Sequence, residues 1–311
     1  MVNYCFPFKE EDKLKNVSVL LVLIAAVLWG TTGTAQTFAP ENANPVVIGA
    51  VRLAVGGLAL LLFVVFQRKL TLKNWPFGVT LVAALSMAAY QPLFFQAVSM
   101  TGVAIGTVVA IGSAPILAGI LEWLVRRRLP NKKWWLATVV AITGSLLLFS
   151  NTNEGEMSLS PLGIIMALGA GLSFAIYTLV SKQLLERHAS EVVVAIVFTL
   201  SAIMLTPILF IYDLSWLFQV NGVGVALHLG IFATAIAYLL FVRGLTGITA
   251  SSAVTFSLAE PLTAAMLGVF LVGEYLPLLS WIGVGLLFVG LGVLSYTPKK
   301  APSKKVDKQI S

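Results

Sequence analysis

Residues 249–272, TASSAVTFSLAEPLTAAMLGVFLV, combine a membrane-spanning length with a proline and a carboxylate near mid-segment. A transmembrane helix needs about 20 predominantly apolar residues, and the only ionisable side chain in this stretch is that of Glu260. The adjacent Pro261 removes one backbone hydrogen bond from any helix that runs through it. The stretch therefore predicts a membrane helix that is interrupted at its centre, beside a buried carboxyl group.

Nine further stretches of the chain have the same apolar character. The 311 residues are 58% hydrophobic and 11% charged, whereas a soluble domain is about 25% charged. This composition excludes a soluble enzyme, a nucleic-acid-binding domain and a disordered protein. The ten predicted spans cover residues 18–38, 46–66, 76–99, 103–125, 133–150, 161–181, 191–212, 222–243, 249–272 and 278–297.

Basic residues fall on one side of these spans. Nineteen of the 20 Lys and Arg residues lie in the two termini and in alternate loops, and the exception, Arg52, lies inside the second span. Cytoplasmic loops carry such an excess, which predicts that both termini are cytoplasmic. We expect a cytoplasmic arm (1–17), a five-helix unit (18–150), an external linker (151–160), a second five-helix unit (161–297) and a basic cytoplasmic tail (298–311).

The two five-helix units resemble one another. A shift of 146 residues superposes Pro115 on Pro261 and Trp135 on Trp281. Because five is an odd number, the second unit enters the membrane from the opposite side, which is the inverted repeat of many secondary transporters. Interruptions at matching positions of two halves point to a transporter binding site, so Pro115 and Pro261 are helix-break candidates. The alternative is a pair of kinks that improve packing.

Short motifs in both halves resemble the EamA branch of the drug/metabolite transporter (DMT) superfamily. They are LWG at 28–30, RL at 52–53, AEP at 259–261 and GE at 273–274, and the resemblance covers about residues 18–297. It implies a bacterial inner-membrane transporter of small metabolites, often an exporter of amino acids, with a central cavity between its halves. The first half departs from the pattern, since the positions matching GE are RR at 127–128.

Ionisable side chains inside a bilayer are costly, at roughly 2.5–3.5 kcal/mol each, and favour a functional interpretation. Glu260 lies too deep to reach either interface, so it must be neutral, paired or facing a wet cavity. We expect it to couple export to proton entry or to hold a substrate ammonium; the alternative is that it caps the loosened backbone at Pro261. Glu122 is predicted to pair with Arg126 one helical turn away.

Two further polar residues have open roles. Arg52 could extend outward to the interface, or it could turn inward to meet a carboxylate of the protein or of a substrate. His228 is either a hydrogen-bonded packing residue or a second titrating group. Polar and aromatic residues deep in other spans would suit an amphipathic organic solute, although each could serve helix packing instead. These cavity candidates are Trp29, Gln36, Tyr90, Gln91, Phe94, Tyr177 and Tyr238.

The favoured function is secondary active export of a small organic metabolite, such as an amino acid, by alternating access. An uptake carrier or an uncoupled facilitator remains open, as does a channel. An intramembrane serine hydrolase would have to use Ser113 and His228, and we expect no enzyme. Cys5 is the only cysteine and no H-E-x-x-H motif occurs, so no metal or cofactor is expected. The oligomeric state is left open.

Overall fold

The computed structural model describes residues 8–71, 73–127, 129–149, 160–273 and 275–296, and these residues form helices and no strands. The predicted all-helical class is therefore confirmed. Glu274 of the GE motif, residues 151–159 of the predicted linker and the tail 298–311 lie outside the described residues. The helices are α1 (Phe8–Gln36), α2 (Pro45–Phe66), α3 (Phe77–Thr101), α4 (Val103–Arg126), α5 (Lys132–Leu148), α6 (Pro161–Leu184), α7 (Ser190–Ile211), α8 (Val220–Leu245), α9 (Ala250–Val272) and α10 (Leu278–Ser295).

Nine of these helices in the described part of the chain are long and apolar enough to cross a membrane. The remaining helix, α5, occupies the predicted span 133–150 but has 17 residues. Helix α1 begins at Phe8, so residues 8–17 of the predicted arm continue the first span as helix. The structure therefore places a helix at every predicted span.

Helix starts follow from local side-chain chemistry. Asn44 precedes α2, where its side chain accepts a hydrogen bond from the N–H of Val46, and Pro45 occupies the first helical position. Ser160 and Pro161 repeat this arrangement at the start of α6. A capping oxygen satisfies a backbone donor that the helix leaves unpaired, and proline there has no N–H to leave unpaired. At α2 and α6, therefore, the loop ends where the sequence supplies a cap.

Packing between the two halves is reciprocal. The first helix of each half packs on the third and fourth helices of the other, so α1 contacts α8 and α9 while α6 contacts α3 and α4. Helix α2 likewise packs on α7, and α5 on α10. Small residues permit the central crossings: a Cβ added to Gly30 would lie 2.8 Å from the carbonyl oxygen of Glu260, and one on Gly171 would lie 2.6 Å from that of Ala110.

Helix α9 is broken near its middle, as the proline predicts. A first segment, Ala250–Phe256, ends at a turn, and a second begins at Ala259. Pro261 cannot donate to the carbonyl of Ser257, and the N–H of Glu260 donates to that carbonyl instead, at 2.9 Å. Helix α4, in contrast, continues through the matching Pro115. The two prolines therefore have different structural consequences. A turn interrupts the helix just before Pro261, whereas the helix that contains Pro115 is continuous.

Helix α8 contains an irregularity of another kind. Its central segment, His228–Ile236, is a π-helix between two α-helical segments. A π turn pairs an N–H with the carbonyl five residues earlier and is frequent at functional sites. Here the N–H of Ala237 donates to the carbonyl of Phe232, five residues earlier, and also to that of Thr234. No proline or other sequence signal marks this turn.

Candidate functional site

A small cavity lies at the centre of the molecule, where helices of both halves meet. Its volume is about 40 Å³, which leaves room for about three water molecules. Six helices and the broken α9 supply its wall. The lining residues are Trp29, Thr32, Arg52, Tyr90, Ala110, Ile111, Ala114, Gly171, Phe174, Tyr238, Ser257 and Glu260.

Five of the residues singled out from the sequence line this cavity together. They are Trp29 on α1, Arg52 on α2, Tyr90 on α3, Tyr238 on α8 and Glu260 on α9. No two of them belong to the same helix, so the tertiary fold alone brings them together. The cavity thus combines a cation, a carboxyl group and aromatic rings from both halves of the chain.

Glu260 projects into the cavity from the second segment of α9. Its residue is half-buried, and among the described residues its carboxyl group has neither a hydrogen bond nor an ion pair. The backbone N–H of Glu260, rather than its carboxyl group, bonds the carbonyl freed by Pro261. The carboxyl group is therefore left for whatever occupies the cavity.

Arg52 turns inward and is buried. Its Nε donates to the hydroxyl oxygen of Thr234 at 3.1 Å, and its Nη2 donates to the carbonyl oxygen of Ala233 at 3.2 Å. Both acceptors belong to the π-helical turn of α8. Within the described residues Arg52 forms no ion pair with a carboxylate, so its direct hydrogen-bond acceptors are neutral. Its charge interacts electrostatically with the carboxyl group of Glu260, which lines the same cavity.

Aromatic rings form one wall of the cavity. The ring centroid of Trp29 lies 4.8 Å from that of Tyr238 and 5.8 Å from that of Phe174, and Phe174 lies 6.0 Å from Tyr90. Trp29 and Phe174 occupy corresponding positions in the first helix of each half. The indole N–H of Trp29 is buried without a hydrogen-bond partner among the described residues. The cavity must widen before this donor can reach a guest.

Four other cavity candidates lie outside the lining. Gln36 ends α1, seven residues or about 10 Å beyond Trp29. Gln91 is buried and faces Gly49 of α2. Phe94 stacks behind Tyr90, and Tyr177 packs behind Tyr238, with centroid separations of 5.8 Å in both pairs. The last two support the wall without reaching the cavity.

His228 and Ser113 have separate environments. The Nε2 of His228 and the hydroxyl of Thr31 are 2.9 Å apart, which joins α8 to α1. The hydroxyl of Ser113 donates to the carbonyl of Ala110 within α4. The structure therefore does not pair Ser113 with His228 as a hydrolase would require. In the described part of the chain, no cluster of three or more His, Cys, Asp or Glu residues could hold a metal ion.

Helical spacing in the sequence indicates two further lining residues, since Thr32 follows Trp29 by three positions and Ser257 precedes Glu260 by three. The small residues of α4 and α6 carry no such signal. These small residues allow the backbones of α4 and α6 to pack closely. Whether a small residue does so depends on the helix that faces it.

A second and much larger cavity, of about 1050 Å³, opens on the side of the basic loops. We call it the basic vestibule; its charged lining residues are Lys15, Glu122, Arg126, Lys133, Lys182 and Glu186. At the opposite end, the side chain of Asn42 donates to Ser215 at 3.0 Å and accepts from Gln219 at 3.5 Å. The described conformation is wide on the basic side and closed by contacts between loops on the other.

The predicted pair of Glu122 with Arg126 is wrong. Glu122 is buried and accepts a hydrogen bond from the N–H of Ser251 at 3.0 Å, at the start of α9. Arg126 instead pairs with Glu186, two residues after the end of α6, at 3.0 Å. A free helix N-terminus attracts an anion. The carboxylate of Glu122 therefore binds the start of α9 and not Arg126, which lies one turn away on its own helix.

Lys182 of α6 holds the other end of the same loop. Its ammonium group donates to the carbonyls of Leu245 and Ile248, at 2.7 Å and 2.6 Å. Leu245 ends α8, where carbonyls have no helical donor and favour a cation. The loop from α8 to α9 is thus fixed by Lys182 at one end and by Glu122 at the other.

Comparison with known proteins shows which family has this architecture. Both halves match the EamA-like transporter family, over residues 16–150 and 161–296. The uncharacterized transporter YwfM of Bacillus subtilis strain 168 is 52% identical over 285 residues, covering 92% of this chain and 96% of that protein. The threonine/homoserine exporter RhtA of Escherichia coli K12 is 27% identical over 303 residues, covering 93% and 95%.

Two further similarities agree with these. The uncharacterized inner membrane transporter YicL of Salmonella typhimurium is 26% identical and covers 91% of this chain and 96% of that protein. A solved crystal structure superposes with a TM-score of 0.78 at 19% identity, covering 89% of this chain and 95% of that one. The apolar helices and the bacterial relatives together define a multi-pass cell membrane protein. The chain belongs to the EamA-like transporter family of the DMT superfamily.

Proposed function

We propose that this protein is a secondary active transporter that exports a small zwitterionic metabolite, such as an amino acid, by alternating access. The observation that carries the proposal is the central cavity, in which Arg52 and Glu260 line one space without a direct ion pair between them or to any other described residue. The similarity to an exporter of threonine and homoserine supports the direction and the solute class.

The chemistry of the lining suits a zwitterion. A guanidinium binds a carboxylate through parallel N–H donors, so Arg52 would hold the acid end of the solute. Glu260 would hold the ammonium end, and the face of Trp29 or Tyr238 attracts a cation as well. With a volume of about 40 Å³, the cavity must widen before it admits an amino acid, which means that binding and helix movement are coupled.

The topology we propose has ten crossings with both termini in the cytoplasm. It counts α5 as the fifth crossing and makes the two five-helix halves an inverted repeat. The basic vestibule then opens toward the cytoplasm, where a solute for export would enter. The loop contacts of Asn42 close the outer end, so the described conformation corresponds to the inward-facing half of the cycle.

Glu260 is the residue we assign to proton coupling. Protonation removes its charge, and a substrate ammonium replaces the proton, so the two ligands would compete for one carboxyl group. A proton that moves through a potential of 100 mV releases about 2.3 kcal/mol, which supports a solute gradient of roughly fiftyfold. One proton for each solute molecule is therefore sufficient to drive export.

Transport by purified protein in liposomes tests this assignment. We expect Glu260→Gln to abolish uphill transport of radiolabelled amino acids driven by a pH gradient and to remove the pH dependence of exchange. Glu122→Gln is the matched control, because glutamine can still accept from the N–H of Ser251, and it should retain both properties. Unchanged rate and pH dependence in Glu260→Gln would refute the coupling role.

The same preparation separates the remaining alternatives. An uncoupled facilitator would equilibrate the solute without accumulating it, whatever the pH gradient. A channel would show no counterflow, in which unlabelled solute on one side drives transient uptake of label from the other. Comparing the metabolites released by cells that overproduce the protein with those released by cells lacking it would identify the exported solute and its direction.

A further inference from the structure

The π-helical turn of α8 and the position of Arg52 are linked by one hydrogen-bond exchange. In a regular α-helix the N–H of Ala237 would donate to the carbonyl of Ala233, four residues earlier. Here it donates to the carbonyls of Phe232 and Thr234, and not to that of Ala233. The carbonyl of Ala233 loses its usual donor, and Nη2 of Arg52 donates to it at 3.2 Å.

The next residue of the turn supplies the second contact. The hydroxyl oxygen of Thr234, which is fully buried, accepts from Nε of Arg52 at 3.1 Å. Close approach of α2 to α8 makes this geometry accessible. A Cβ added to Gly56, one turn after Arg52, would lie 2.5 Å from Cγ2 of Thr234 and 2.8 Å from the carbonyl oxygen of Gly230. The two helices therefore interlock around the guanidinium group.

Two hydrogen bonds to α8 orient the side chain of Arg52, which otherwise has many rotamers. Nε and Nη2 lie along one edge of the planar guanidinium, and both are occupied by α8. Nη1 has no partner among the described residues, although Arg52 lines the central cavity. Fixing a binding group before the ligand arrives reduces the entropy lost on binding. The turn thus leaves a preoriented donor group for a ligand.

We propose that Thr234, together with the π-helical turn that carries it, is a positioning residue of the transport site. It holds Arg52 so that the remaining guanidinium donors bind the carboxylate of the transported solute. This inference rests on the proposed function, because it assigns Arg52 to the acid end of a zwitterion. It adds that recognition of the carboxylate depends on a neutral hydroxyl of a different helix, which does not itself contact the solute.

The first test measures uptake of radiolabelled L-threonine by liposomes containing Thr234→Val. Valine keeps the shape and removes the acceptor, so we expect KM to rise roughly tenfold with Vmax within about twofold. Inhibition by 1-aminopropan-2-ol, which is threonine without its carboxylate, should remain unchanged. Thr234→Ser should restore the KM. Thr206→Val is the control, since Thr206 donates only to Ala202 of its own helix.

A KM for Thr234→Val equal to that of Thr206→Val would overturn the positioning role while leaving the transport function intact. A wild-type protein that transports no amino acid would instead count against the proposed function.

The contact itself is tested without transport, by the Tm values of Arg52→Gln, Thr234→Val and the double variant in detergent. We expect the double variant to lose no more Tm than the worse single variant, whereas strictly additive losses would overturn the proposal.

Discussion

At the scale of single residues, a cation and a carboxyl group deep in the membrane spans are conspicuous because ionisable groups are costly in a bilayer. That cost distinguishes Arg52 and Glu260 in the sequence alone, and both line the central cavity. The partners of Arg52 were not foreseeable, because a hydroxyl and a carbonyl on α8 carry no charge pattern. The true partner of Glu122 was likewise hidden, because a helix N-terminus becomes an anion site only after folding.

Trp29 gives a prediction at this scale. Its buried indole N–H has no partner among the described residues, and a neutral hydrogen bond contributes about 1 kcal/mol. We expect Trp29→Phe to raise the KM for L-threonine about fivefold, because the solute or its bound water loses a donor. Trp216 is the control: its indole N–H is also buried and unpartnered in the described chain, but it does not line the central cavity.

Trp216→Phe should lower Tm without changing KM. Both substitutions replace an indole by a phenyl ring and remove one N–H donor. A difference between their KM values therefore reflects only where each indole lies. Equal KM values for both variants and the wild type would show that the Trp29 indole does not bind the transported solute.

At the scale of helices, the crossing of α5 with α10 depends on backbone contact. A Cβ added to Gly283 would lie 2.5 Å from the carbonyl oxygen of Gly144 and 2.6 Å from the N–H nitrogen of Leu148. Backbone atoms cannot rotate away, so we expect Gly283→Ala to separate the helices and destabilise the protein by about 1–3 kcal/mol. Gly285→Ala, on the same helix with no atom within 4 Å, should have no such effect.

Thermal unfolding in detergent measures this difference, and the transport KM should stay constant in both variants. A Tm for Gly283→Ala that matches Gly285→Ala would mean that the two helices do not cross as described.

The loop between α8 and α9 supplies a second prediction at this scale. Lys182→Met removes the ammonium that bonds Leu245 and Ile248, so we expect faster amide hydrogen exchange at residues 246–250. A fall in stability of about 1–3 kcal/mol should accompany it, because the freed carbonyls lose a charged donor. Lys132→Met, at an exposed lysine, should change neither quantity, and equal exchange in the two variants would contradict the role of Lys182.

How far the sequence predicts an element depends on what interrupts the helix. Pro261 has a definite chemical effect, so the break in α9 was predictable. The π-helical turn of α8 was not, because it contains no proline and arises from packing between Thr234, Gly56 and Arg52. The matching Pro115 shows the limit of the symmetry argument, since α4 continues through it.

At the scale of the whole molecule, the wide basic vestibule and the closed opposite end predict which positions each compartment can reach. After Cys5→Ser, we expect a membrane-impermeant maleimide to label Ser252→Cys in the vestibule only from the cytoplasmic side. Asn42→Cys should react only from the external side. Inverted and right-side-out vesicles provide the two exposures, and the cysteine-free protein gives the background.

Labelling of both cysteines from the same side would contradict the proposed topology. The internal repeat predicted two similar five-helix units, but it gave neither the packing of each first helix on the opposite half nor the size of the central cavity. The size of the cavity depends on how closely α1 and α6 approach the opposite half, which Gly30 and Gly171 permit. Hydropathy does not predict the distance between packed helices.

The shortest helices also have a consequence for the surrounding lipid. Helices α5 and α10 have 17 and 18 residues, so they measure about 26 and 27 Å, against about 30 Å of hydrocarbon in a typical bilayer. They pack against one another, so their hydrophobic mismatch falls on a single edge of the protein. If α5 crosses the membrane as proposed, we expect the bilayer to thin there and the longer α1 and α3 to tilt. The transporter would then carry an asymmetric deformation of the membrane with it, and its activity in liposomes should fall as the lipid acyl chains are lengthened.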